Sequence, residues 1–292
     1  MDARESLLVA LKREKIVGGG AAAAELTEFA ESEAGSVFAL RVDGKAAIAL
    51  WERLRALVDE TGYWPIVVGD DNDAEILSEG LEDVEESAAE WIRAGEAIDV
   101  KEWFATELEE AREDEREARE GDSGPDREVD EEDDDDDDGA EAGEAGHARG
   151  EGNDKPGVGQ PVASHEAQFT VPYDILTRTP HAEVTLVLVP TRIGYHVPAL
   201  LNWGGWNDCP APEEHVALLK YWNATHGAEL VSLSSDVLEM KVARPPETRE
   251  LGSALAYEHF AYCRDIVEQG CGTVAALARA LTGGRSWYFW WD

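Results

Sequence analysis

The chain has 292 residues, with 63 acidic against 25 basic side chains and a formal charge of −38. Residues 107–154 carry 24 of the acids and 5 of the bases, so half of the charge sits in a sixth of the chain; the remainder has an ordinary globular composition and is long enough to bury a real core. This balance excludes a binder of nucleic-acid backbone, which needs a basic face for counterion release, and argues against docking on anionic lipid.

A first helix is expected over 2–17. Asp2 and Glu5 lie near its start, Lys12, Arg13 and Lys15 near its end, and three glycines follow, a polarity that suits the helix dipole. A second, short helix is expected over 22–34. Residues 36–42 read as a strand, 45–60 as a helix with Ile48, Trp51, Leu54, Leu57 and Val58 on one face, and 64–68 as a second strand. Helices are expected over 82–94 and 99–118, the charged stretch 107–120 continuing as a solvated helix. Residues 121–160, with the unbroken run Asp133–Asp138, hold too little apolar surface to offset their ordering entropy and read as a disordered tether. Order is expected to resume near Phe169, with a strand over 184–189 and a turn-rich segment around Trp203–Trp206. A helix over 212–226 and a hairpin of 228–233 with 237–242 come next. Helices over 247–263 and 273–282 lead to a last strand over 287–291. Alternation there sends Trp287, Phe289 and Trp291 to one side and Tyr288 and Trp290 to the other, with core burial expected on both.

These elements give an α/β fold of two strand–helix–strand lobes packed together, with a disordered acidic insertion between them: an N-terminal lobe 1–106, a linker 107–160 and a C-terminal domain 161–292. An echo at a constant offset of 165 relates Trp51, Leu54, Leu57, Gly62, Ile66 and Val68 to Val216, Leu219, Trp222, Gly227, Val231 and Leu233. It is read either as a duplicated lobe or as the common look of helix-to-strand units. Residues 7–11 are too short for a signal-peptide core, and nowhere do eighteen apolar residues run together. Cys209, Cys263 and Cys271 are odd in number and lack finger spacing, as expected of reduced thiols. The expected location is the cytoplasm, and 18 arginines against 7 lysines suit a GC-rich bacterial genome.

The densest polar cluster runs from Trp203 to His215. Cys209 before a helix start, with His215 as a base, is the pattern of an activated thiol. The competing reading makes Asn207 and Asp208 turn and capping residues and Cys209 a small buried side chain, and it is preferred. Asp70–Asp73 follows a strand end, where an α/β sheet places ligand groups, but lacks the glycine of a calcium loop; an acidic loop opening the next helix is preferred. For zinc, His259 and Cys263 would share a helical face, but no second pair stands at comparable spacing to Cys209, His215, His226 or Cys271. No phosphate loop or dinucleotide fingerprint is present. The expectation is therefore no metal and no cofactor.

The segments Gly204–Pro210, His215 with Tyr221–Trp222, Gly227–Glu229, Tyr262–Val267 and Trp287–Asp292 together resemble a largely bacterial family catalogued as domain of unknown function 4253. Residues 49–55 and 61–65 resemble segments that precede this domain in its relatives. The resemblance covers about 183–292, implies that both lobes form one inherited unit with the acidic tract as an insertion, and transfers no catalytic residue. The functional expectation is a non-catalytic module, of the immunity or adaptor kind, that captures a basic protein partner through an acidic, aromatic-rich surface. Its binding residues are expected among Trp203, Trp206, Asn207, Tyr262 and Trp290. The rival is an enzyme or small-molecule binder with a cleft built from Asp208, Cys209, His215, Tyr262 and Asp265.

Overall fold

The computed structural model describes residues 3–18, 24–81, 87–121, 166–174 and 176–292. Its strands are β1 (Leu26–Ser32), β2 (Gly35–Val42), β3 (Trp64–Gly69), β4 (Val184–Val189), β5 (Ala228–Leu233), β6 (Val237–Val242) and β7 (Ser286–Trp290). The helices are α1 (Ala3–Arg13), α2 (Ala47–Arg55), α3 (Val58–Thr61), α4 (Asp71–Gly80), α5 (Ala88–Ala97), α6 (Val100–Gly121), α7 (Val197–Leu200), α8 (Pro212–His226), α9 (Arg249–Tyr262) and α10 (Val274–Leu281). Among the described residues the strands form one sheet in the order β1-β2-β4-β3-β5-β6-β7, so the α/β class holds and the two lobes share a single sheet.

The sheet is woven from both halves of the chain. β4 lies between β2 and β3 and is antiparallel to both, while β3 and β5 run parallel. Every residue of β3 and β4 is buried, and this is why the two strands read as unbroken apolar runs: a central strand has no solvent side. Ile66, Val68, Val187 and Val189 face one core with α8 and α9. Val67, Leu186 and Leu188 face the other, with Trp51 and Leu54 of α2 and Leu7 and Leu11 of α1.

Two expectations need correction, and two readings gain detail. The helix expected over 22–34 is strand β1. Alanine and glutamate favour helix locally, but Leu26 is buried and the backbone completes its hydrogen bonds against β2 from Leu26↔Leu40 to Ser32↔Gly35. The helix expected from 82 begins at Ala88 and is preceded by α4. The charged helix α6 continues past 107 to Gly121 as expected, but it is not solvated all round, since Leu108 is half-buried and Ala111 buried against the body. The rest of the expected tether, 122–160, lies outside the described residues. Of the two readings of the echo at offset 165, the arrangement favours the common look of helix-to-strand units over a duplicated lobe. β2 and β3 run parallel to each other whereas β4 and β5 run antiparallel, and α2 and α8 cover opposite faces.

A strap over 166–174 returns the chain to the sheet. Glu239 of β6, 1% exposed, pins it: its carboxylate accepts from the Thr170 amide at 2.5 Å, the Thr170 hydroxyl at 2.8 Å and the Val171 amide at 3.4 Å. Burial raises the carboxyl's pKa, and these hydrogen bonds oppose the rise.

Candidate functional site

Residues 201–211 connect α7 to α8, and Leu201, Trp203 and Cys209 pack into the core that holds α8 and α9. Gly204 sits at φ 113°, and a Cβ there would meet the Pro210 carbonyl and the His215 ring, so only glycine lets the loop approach the imidazole. Pro212 opens α8, and Glu214 accepts from the Ala211 amide at 2.7 Å, fixing the helix start. His215 therefore enters the core on the first turn of α8. Its Nδ1 lies 2.6 Å from the Tyr262 hydroxyl of α9, and its Nε2 lies 3.6 Å from Cys209 Sγ.

The thiol, imidazole and phenol thus form a buried chain, packed around by Trp203 and Trp291. His215 has no solvent exposure and Cys209 has 4%. Burial drives the His215 pKa down to about 3. It also raises Cys209 and Tyr262, and like charge from Cys263 and Glu214 adds to both. At neutral pH the three groups are uncharged. Each can donate and accept one hydrogen bond, so the chain is satisfied whichever ring nitrogen carries the proton. A protonated, largely buried thiol is a poor nucleophile.

The expected site residues separate into groups. Trp203, Trp206, Cys209, His215 and Tyr262 do come together, Trp206 edge-on to Trp203 at 4.8 Å. They do so as core, not as surface; of these only Trp206 is partly exposed. The aromatic-rich binding surface is corrected accordingly, because indole rings gain most by leaving water and this cluster closes on itself. Asn207 and Asp265 hold the Asp292 backbone from two sides, at 2.6 Å and 3.0 Å. Trp290, on the other side of β7, donates from its indole to Asp236 at 3.0 Å. In that strand and just after it Trp287, Phe289 and Trp291 are buried, Trp290 is half-buried and Tyr288 is 41% exposed, so the core takes one side fully and the other in part. Asp70 caps α4 through the amides of Asn72 and Asp73, and Asp73 accepts from Ser235. The acidic run there is helix-start chemistry. His259 is buried among Trp222, Trp287 and Phe289, with Nε2 unpaired among the described residues. Among the described residues no three His, Cys, Asp or Glu side chains are grouped to hold a metal ion.

Asp208 stays exposed and, together with Cys209 and Tyr262 of the expected cleft, lines an open groove of about 320 Å³ between α6 and the start of α8. Trp103, Glu107, Glu110 and Asp114 form its α6 wall, and Glu214 its far side. Trp103 donates to Glu214 at 2.7 Å, and Arg264 pairs with Asp114 at 2.5 Å. Burial raises the pKa of Glu107, and repulsion from Glu110, Glu214 and Asp208 adds to it against the pull of Arg264. Sequence reasoning missed Glu107, Glu110 and Glu214. The positions 103, 107, 110 and 114 repeat at helical spacing, a signal hidden inside a run that reads as uniformly solvated acid.

Residues 185–292 match the model of the family described as a domain of unknown function, DUF4253. No curated protein and no solved structure matches the chain significantly. The match begins within β4 and takes in β5, β6 and β7, but β3 separates β4 from β5. In this chain the matched segment completes its sheet only with a strand from the first 69 residues. No described helix is long and apolar enough to cross a membrane.

Proposed function

We propose that the protein is a non-catalytic binding module that captures a basic segment of a partner protein in the groove between α6 and α8. The observation that carries this reading is the unbalanced charge of the groove. Glu107, Glu110, Asp208 and Glu214 line it together, Arg264 is the one cation lining it among the described residues, and Asp114 already engages that cation. Crowding of like charges there is relieved by an incoming Lys or Arg, whose stem finds apolar cover on Trp103. Complementary charge of this kind raises encounter rates and selects partners by sign.

The test is binding of an arginine-rich peptide to the full chain and to two triple variants. Glu107→Gln, Glu110→Gln and Asp208→Asn neutralise the groove. Glu28→Gln, Glu75→Gln and Glu268→Gln remove equal charge elsewhere on the surface. The groove variant is expected to bind at least about tenfold more weakly, each charge-assisted contact being worth ~1.5–3 kcal/mol, with little change in the other. Equal weakening in both would mean attraction by net charge alone and would reject the groove. The enzyme reading draws on the Cys209–His215 contact, and its test is thiol reactivity, taken up in the Discussion.

A further inference from the structure

At the other end of α8 lies a trough of opposite character. Two adjoining hollows, of about 230 Å³ and 560 Å³, share Arg55, Asn223 and Glu229. Arg192 lines the first, and Lys241 and Arg244 line the second. We propose that this trough binds a small molecule through its oxyanion groups, phosphate or carboxylate, held by Arg55, Arg192 and Arg244.

Three observations carry the assignment. First, the charge is left over. Arg55 pairs with Glu229 at 2.5 Å and Lys241 with Glu52, while Arg192 and Arg244 have no carboxylate partner among the described residues. Second, the guanidiniums are held in place. Arg192 donates to the Asp59 carbonyl at 3.3 Å, and Arg244 donates to the carbonyls of Ala224 at 2.9 Å and Thr225 at 3.3 Å. Each guanidinium carries five donors, so these contacts anchor the group and leave others for a ligand. Third, Arg55 is itself incomplete. It lies 4.3 Å over the Trp64 ring, and its buried Nε has no hydrogen-bond partner among the described residues, an unsatisfied donor where burial costs most. Trp64 is fixed in turn by its bond to the Leu230 carbonyl at 3.1 Å and by Gly194 against its edge, so the platform under Arg55 is rigid. The surrounding protein does not favour anions: a net charge of −38 repels them. Binding here therefore requires the local arrangement, not the general field.

The experiment is calorimetric titration of the full chain with inorganic pyrophosphate and, separately, with citrate. Wild type is compared with Arg192→Ala, Arg192→Lys, Arg244→Ala and Arg112→Ala, the last being an exposed arginine on α6. Saturable one-to-one binding of one or both probes is expected, and the tighter probe identifies phosphate or carboxylate as the preferred group. Arg192→Ala and Arg244→Ala are expected to weaken it at least about tenfold, the loss of a charge-assisted hydrogen bond. Arg192→Lys is expected to fall between wild type and Arg192→Ala, because it keeps charge and loses the fork. Arg112→Ala should bind as wild type. If Arg244→Ala unfolds through loss of its contacts to α8, the Arg192 pair decides the matter alone. No saturable binding of either probe, or equal weakening in Arg112→Ala, overturns the proposal.

Discussion

The buried histidine at the centre of the aromatic cluster makes stability depend on pH in a way one substitution isolates. His215 has a folded pKa near 3 against an ordinary 6.5, with burial as the cause. Below pH 6.5 the unfolded chain binds a proton at this residue, whereas the folded chain does not until about pH 3. Its contribution is therefore complete above 6.5 and is lost progressively as pH falls toward 3. At pH 5.0, 1.5 units below the unfolded value, the loss is about 2 kcal/mol. His259, also buried and depressed, acts in the same direction, while Glu239 and Asp73, raised by burial, act in the opposite one. The absolute pH profile thus mixes signs, but the gap between wild type and His215→Gln reports His215 alone. At pH 7.5 the variant should be less stable by ~1–3 kcal/mol, since Tyr262 or Cys209 loses its partner. That gap should shrink by about 2 kcal/mol at pH 5.0. Urea unfolding followed by the fluorescence of the ten tryptophans measures both. A gap of equal size at pH 7.5 and 5.0 would show that the imidazole is not held neutral in the core, and the account of the cluster would fail with it.

Three further outcomes are expected. Glu239→Gln leaves one carbonyl oxygen where two carboxylate oxygens hold the strap, so hydrogen-exchange protection should fall at the Thr170 and Val171 amides ahead of the sheet; unchanged protection there would refute the pin. Gly194→Ala drives a methyl into the Trp64 ring and should cost ~1–3 kcal/mol as overpacking, with an unshifted urea midpoint as the contrary result. With iodoacetamide at pH 7.5, exposed Cys271 should alkylate quickly, and buried Cys209 and Cys263 only on unfolding. Burial raises both of these thiols, Cys263 to about 12. A Cys209 that alkylates in the native protein would revive the thiol-enzyme reading.

Much of the fold was legible in the chain because it is written in local periodicity. The 3.6-residue spacing of α8 and the unbroken apolar run of β4 each signal their burial within a few residues. The last strand likewise announced a buried face through its alternating indoles. Local signals failed where a distant partner decided the outcome. Alanine-rich 22–34 reads as helix until β2 offers its edge, and Leu108 and Ala111 read as solvated until α8 and α9 supply a surface. The candidate site divides the same way. The segment from Trp203 to His215 stands out as a polar cluster, but whether it opens to solvent depends on Tyr262 and Trp291, far along the chain.

What the sequence determined by itself was the α/β class, most element positions, the charge asymmetry and the concentration of aromatic mass in the C-terminal part, all consequences of composition and short-range order. Only tertiary structure decided that β4 threads between β2 and β3, that Cys209, His215 and Tyr262 are buried and neutral, and that arginines 55, 192 and 244 line one trough in an otherwise anionic protein. Strand pairing and side-chain desolvation depend on which residues meet across 100 or more positions, and that choice is made by the energy of the whole assembled core, not by any stretch of it.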